Sequence, residues 1–157
     1  MRRLARDRRG VTAVEFAVTG GAFFLVLLLL MEACWQVAAA AALDAGGREA
    51  ARWAGTGQAP PAGFTAAGYV TETILKSTGF PLRPEALAVT AQSFPGFGAL
   101  STPGAAKPGL GGPGDVVQYT VVYRSPGLTP FGRALLPLGV LQVRFVILAK
   151  NEPYPNG

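Results

Sequence analysis

From Val11 to Met31 the chain runs 21 residues with one ionisable side chain, Glu15, and from Phe16 to Met31 it carries none. A bilayer core about 30 Å thick takes about 20 mostly apolar helical residues to cross, so this run is long enough to span. Its densest part is Phe23-Phe24-Leu25-Val26-Leu27-Leu28-Leu29-Leu30. Gly20-Gly21 lowers helix propensity inside it without ending it.

The charge pattern gives the run a direction. Net charge is +5, and five of the fourteen Lys and Arg are Arg2, Arg3, Arg6, Arg8 and Arg9. Beyond Gly10 the chain carries nine basic and eight acidic residues and is close to neutral. A nucleic-acid-binding surface distributes its positive charge over the folded part, so no nucleic-acid partner is expected. Arginines placed just before an apolar run instead hold that end in the cytoplasm and deliver the C-terminal remainder of the chain across the membrane.

Catalytic groupings are missing. There is no histidine and one cysteine, Cys34, which excludes a His-based triad, a His or Cys zinc site and an internal disulfide. Ser77, Ser93, Ser101 and Ser125 have no histidine to act as base, and Asp44, Glu49, Glu72, Glu85, Asp115 and Glu152 are scattered. The glycine-rich stretch 109–114 lacks the strand-to-helix setting of a nucleotide loop. The expectation is a non-enzyme with no cofactor, no metal and no small-molecule substrate.

A cleaved secretory signal is the rival reading of the N-terminus, and Ala38 to Ala42 offers an Ala-x-Ala site. The apolar run is longer than an h-region of about 7–15 residues. Glu15 also lies inside it, where an acid costs roughly 2.5–3.5 kcal/mol at a helix centre on insertion scales. Lipoprotein processing at Cys34 fits poorly, because Glu32 lies two residues before it.

Glu15 gains meaning from its surroundings. A basic tail ends at Gly10, then come Val11-Thr12-Ala13-Val14, Glu15-Phe16 and the apolar helix. This order resembles the type IV prepilin signal in the short-leader form of the TadE/TadF-like pseudopilins of tight-adherence (Tad) pili. The resemblance implies that a membrane-embedded prepilin peptidase cuts between Gly10 and Val11, which makes Glu15 the fifth residue of the mature chain. It also implies that Glu15 and Phe16 act in assembly, with Glu15 pairing with the N-terminal amine of a neighbouring subunit. A buried pair of that kind sets register, because either charge left alone in an apolar setting is costly. The implied partners are the peptidase, other pilin-like subunits, the Tad assembly machinery and the lipid bilayer. The implied place is the bacterial inner membrane, single-pass, N-terminus cytoplasmic, with entry into an extracellular pilus open to such subunits. A Gly10 that merely breaks the chain before a helix, and a Glu15 close enough to the interface to reach water, are the plainer readings.

Helix propensity continues from Glu32 through Ala45, and Arg48-Glu49-Ala50-Ala51-Arg52-Trp53 extends it past Gly46-Gly47 to a stop at Gly55 or Gly57. The stretch 46–53 also resembles TadE-like sequences. A continuous helix from Val11 would be about 65 Å long. Trp35 reads either as an outer-interface anchor or as an ordinary packing residue. Cys34 reads either as a small apolar residue or as an intermolecular disulfide partner. Arg48, Glu49 and Arg52 read as solvated helix pairs.

Residues 57–63 read as a linker, Phe64 to Ser77 as a short helix and Leu87 to Phe94 as a strand. Residues 95–114, dense in glycine and proline, read as a long flexible loop. Val116 to Tyr123 and Val140 to Lys150 read as strands, with Val117, Tyr119, Val121 and Tyr123 on one face of the first and Val143, Phe145 and Ile147 on one face of the second. Between them, Leu128-Thr129-Pro130-Phe131 and 133–136 read as a turn and short helix. The Leu-Thr-Pro-Phe connection, both strands and the terminal Asn151-Glu152-Pro153-Tyr154 again resemble TadE-like proteins.

The expected fold class is α+β: a long pilin-like membrane-spanning helix, then a small domain whose antiparallel sheet packs on the helix's outer half. The expected parts are a basic leader 1–10, a span 11–31, a helix extension 32–54 and an extracytoplasmic domain 55–157. Two other readings stay open: a permanently anchored single-span protein with a partner-binding outer domain, and a secreted domain released near Ala40.

Overall fold

The computed structural model describes residues 9–77 and 79–154. Most of the expected leader, residues 1–8, lies outside the described residues.

One helix, α1 (Arg9–Gly55, 47 residues), carries the architecture. At 1.5 Å per residue it is about 70 Å long. It runs unbroken through Gly10, Gly20-Gly21 and Gly46-Gly47. Its N-terminal part is uncovered, and contact with the rest of the chain begins at Leu28 and Leu29. From there a stripe of Ala39, Leu43, Gly46, Gly47, Ala50 and Ala54 turns inward. That three-to-four-residue spacing puts one helix face into the core.

The stripe is small because two elements approach it closely. Helix α2 (Ala66–Lys76) begins at Thr65, whose hydroxyl accepts the Gly68 N–H at 3.1 Å as an N-cap. Its Val70 and Ile74 are buried against α1. A Cβ at Gly46 would lie 2.7 Å from the Ile74 carbonyl oxygen, and one at Gly47 would lie 2.6 Å from Ile147 Cδ1. The two glycines that weaken helix propensity in the sequence are the docking points of α2 and of the sheet.

The sheet has four antiparallel strands in the order β2-β1-β3-β4: β1 (Leu87–Phe94), β2 (Lys107–Pro108), β3 (Val116–Pro126) and β4 (Val140–Lys150). Val89, Val121 and Phe145 stand side by side across three strands, as do Ala91, Tyr119 and Ile147. Val117, Tyr119, Val121 and Tyr123 are buried, which is the expected face of β3. Each such valine contributes about 1.5–3 kcal/mol on full burial. The Tyr123 hydroxyl accepts the Arg83 N–H at 3.2 Å. Burial pushes the Tyr119 phenol, with a smaller contribution from Tyr154, up to about 12. The Tyr119 hydroxyl has no hydrogen-bond partner among the described residues.

Two expectations shift in extent. β3 runs to Pro126 rather than Tyr123, because β4 pairs with it residue for residue up to Val140 opposite Pro126. The stretch 95–114 contains a 3-10 turn (Phe97–Ser101) and the short β2. Its end is tied by Asn151, whose amide donates to the carbonyls of Leu110 at 2.8 Å and Gly112 at 2.9 Å. Glu152 N–H donates to the Gly55 carbonyl at 2.8 Å and ties the chain's end to the end of α1. The α+β class, with a long apolar helix followed by a small antiparallel sheet, is as expected.

Candidate functional site

The residues singled out in the sequence lie on the uncovered part of α1. Gly10 is inside the helix, and a Cβ built there would meet nothing within 4 Å. No packing contact therefore requires glycine at that position. Val11 and Phe16 are exposed, as are Val14, Val18, Phe23 and Phe24. Glu15 lies on the same exposed stretch, and no cation among the described residues is within ion-pair distance of it. α1 is the one helix among the described residues that is long and apolar enough to cross a membrane. An apolar surface of this size suits lipid or other apolar helices and is costly in water.

The acid that structures the molecule is a different one, Glu32. It sits where α1 first meets the domain and is only 5% exposed. One carboxylate oxygen accepts the Thr129 N–H at 3.0 Å and the Thr129 hydroxyl at 3.2 Å. The other accepts the Leu128 N–H at 3.1 Å and the Gln36 side-chain amide at 3.3 Å. These donors lead into helix α3 (Pro130–Leu135), whose N-cap Thr129 accepts the Gly132 N–H at 2.8 Å. Glu32 thus satisfies backbone donors at a helix start that would otherwise be orphaned. Gly132 is buried against the same carboxylate, and a Cβ there would collide with it.

Sequence reasoning used Glu32 only against lipoprotein processing and missed this role. The available signal was the one charged residue between Phe16 and Leu43 of an apolar and Ala-rich helix, together with a Thr-Pro start of a short helix 97 positions later. Trp35 is half-buried and packs on Phe80, with ring centroids 4.8 Å apart. Cys34 is exposed. The helix-surface charges pair locally: Arg48 with Asp44, Arg52 with Glu49 at 2.8 Å, and Lys76 with Glu72. Among the described residues no three His, Cys, Asp or Glu side chains come together to hold a metal.

Residues 10–52 match the family model described as TadE-like protein. The match covers α1 almost end to end, including the uncovered stretch, Glu15, Glu32 and Gly46-Gly47. The likeness expected for the C-terminal third lies outside the matched residues. No curated protein and no solved structure matches the chain. The matched residues coincide with the helix that is long and apolar enough to cross a membrane, and the similarity to TadE-like proteins is to that helix.

Proposed function

We propose that the chain is a pilin-like subunit of a tight-adherence pilus system, cut by a prepilin peptidase between Gly10 and Val11 and assembled through the uncovered half of α1. The observation that carries this reading is an apolar, uncovered helix stretch holding a lone Glu15, within residues that match TadE-like proteins. Cleavage removes the five arginines and leaves a free amine on Val11, about one helical turn from Glu15. Without the arginines the chain loses its cytoplasmic charge anchor and is free to leave the bilayer laterally. Glu15 then pairs with the amine of a neighbouring subunit, and Phe16 packs beside it. The domain of α2, α3 and the sheet stays on the extracytoplasmic side.

Gly10 fits this role because its open surroundings place no structural demand on it. A peptidase that reads a small residue before the cut explains the glycine where packing does not.

The test is the N-terminal sequence and intact mass of the protein taken from membranes, with and without a functional prepilin peptidase. A mature chain that starts at Val11 only when the peptidase is active is the expected result. A chain that keeps its arginines in both cases refutes processing and leaves a permanently anchored protein. A start near Ala41 makes it a secreted domain and removes the role given to Glu15.

A further inference from the structure

α3 hangs beside the place where α1 leaves its uncovered stretch. A cleft between them is lined by Leu29, Glu32, Ala33, Gln36, Gly132 and Leu135, which sets α3 level with residues 29–36 of α1. Counted from Gly10, a hydrocarbon core about 30 Å thick ends about 20 helical residues later, near Leu30. On the reading that α1 spans the membrane, α3 therefore lies at the outer lipid boundary.

The outward-facing side chains of this region are apolar. Leu128 and Phe131 are exposed, Leu135 is 62% exposed and Leu138 is 99% exposed. Leu138 is also the one described non-glycine residue in the left-handed region, at φ +57°. That conformation is unfavourable for a leucine. The turn is closed by the Gly139 N–H on the Leu136 carbonyl at 2.9 Å and by the Gly127 N–H on the Gly139 carbonyl at 3.2 Å. A strained backbone that presents a whole leucine to water returns nothing in water.

Charge completes the pattern. Arg133 is exposed on α3 and donates to the Gly127 carbonyl at 3.0 Å. Arg124 lines the cleft that holds Leu136 and Leu138. The acid of the region, Glu32, is turned inward onto Leu128 and Thr129. Apolar tips rimmed by arginines, with the nearby carboxylate withdrawn, suit an interface with anionic headgroups.

We propose that α3 and the turn after it, through Leu128, Phe131, Leu135 and Leu138, form a membrane-surface element. It seats in the outer leaflet of the bilayer that α1 crosses, with Arg124 and Arg133 at phosphate level. The occupant of this face is lipid, because the face continues the span at the depth where the helix emerges. The element holds the domain against the membrane, so extraction of the subunit must lift two lipid contacts.

The experiment uses the full chain with Cys34→Ala, carrying single cysteines as Leu138→Cys, Phe24→Cys or Phe97→Cys. Each is labelled with an environment-sensitive fluorophore in phosphatidylethanolamine–phosphatidylglycerol vesicles. Phe97 is an exposed aromatic beyond the Phe94 end of the sheet, opposite the end that meets α3. The probe at 138 should be quenched by spin-labelled lipids several-fold more than the probe at 97, and from a shallower depth than the probe at 24. Equal quenching at 138 and 97, with strong quenching at 24, overturns the element and leaves the span intact. No quenching at 24 overturns the span, and the element with it. Quenching at 138 that vanishes as protein is diluted into lipid, with self-quenching between labelled copies before dilution, assigns the face to a second copy and overturns lipid as its occupant.

Discussion

The Glu32 carboxylate accepts the backbone N–H of Thr129 at 3.0 Å, across 97 positions of sequence. It joins the first turn of the domain-facing part of α1 to the start of α3, which leads from β3 to β4. Removing the carboxylate leaves the Leu128 and Thr129 N–H groups and the Thr129 hydroxyl without their acceptor. Glu32→Ala is expected to destabilise the full chain in detergent by about 1.5–3 kcal/mol, the scale of hydrogen bonds to a charged group. Glu32→Gln keeps one acceptor oxygen and is expected to lose less. Thermal unfolding followed by near-ultraviolet dichroism measures both, and faster amide exchange at Thr129 localises the effect.

Gly132 and Glu32 form a second, steric coupling. A methyl at Gly132 needs the space of the carboxylate, which four hydrogen bonds hold in place. Gly132→Ala is expected to cost about 1–3 kcal/mol, as overpacking does. In a Glu32→Ala background the clash is gone, so the same substitution should cost less. A double-mutant cycle by denaturant unfolding reads this coupling, and additive losses would show that the two residues act independently.

Glycines along α1 should behave in opposite ways. Gly46→Ala drives a Cβ into the Ile74 backbone, so about 1 kcal/mol of gained helix propensity should be outweighed and α2 loosened. Gly20→Ala and Gly21→Ala meet nothing within 4 Å and should leave the chain as stable or slightly more so. Protease cleavage between α1 and α2, in the 58–63 segment, reports the loosening. It should rise for Gly46→Ala alone.

Tyr119 gives an alkaline signature. Its phenol ionises near 10 when unfolded and is held at about 12 in the folded chain. The folded state therefore keeps a proton that the unfolded state releases, and stability falls as pH rises from 10 toward 12. The loss is about 1.4 kcal/mol per pH unit in that window and is absent below it. Tyr119→Phe removes this dependence. At neutral pH it also removes a buried hydroxyl that has no partner among the described residues, so stability should hold or rise by about 1 kcal/mol. Unfolding midpoints of both proteins between pH 8 and about pH 11.5 test the difference.

The assembly reading separates folding from processing. Gly10→Val meets open space and should leave the domain's unfolding unchanged while it abolishes the mature N-terminus at Val11. Glu15→Ala should be processed normally and should fail to enter filaments in cells, which immunoblots of sheared pili measure. Normal filament entry by Glu15→Ala would remove the pairing role.

The sequence by itself determined the elements whose cause is local. An apolar run from Val11 to Met31 is legible because hydrophobic transfer depends on composition alone. The Val-Tyr alternation of β3 and the Val143-Phe145-Ile147 face of β4 are legible because side chains alternate along a strand. The extension of β3 to Pro126 was not, since a strand's end depends on the partner it pairs with. Gly46-Gly47 read as a weakness in the helix until α2 and β4 were seen against it. Glu32 bore in the sequence only on lipoprotein processing at Cys34, and its acceptor role needs Leu128 and Thr129, which come from nearly a hundred residues away. Only the tertiary structure could assign these roles, because close approach and long-range hydrogen bonds bring together groups that local sequence keeps apart.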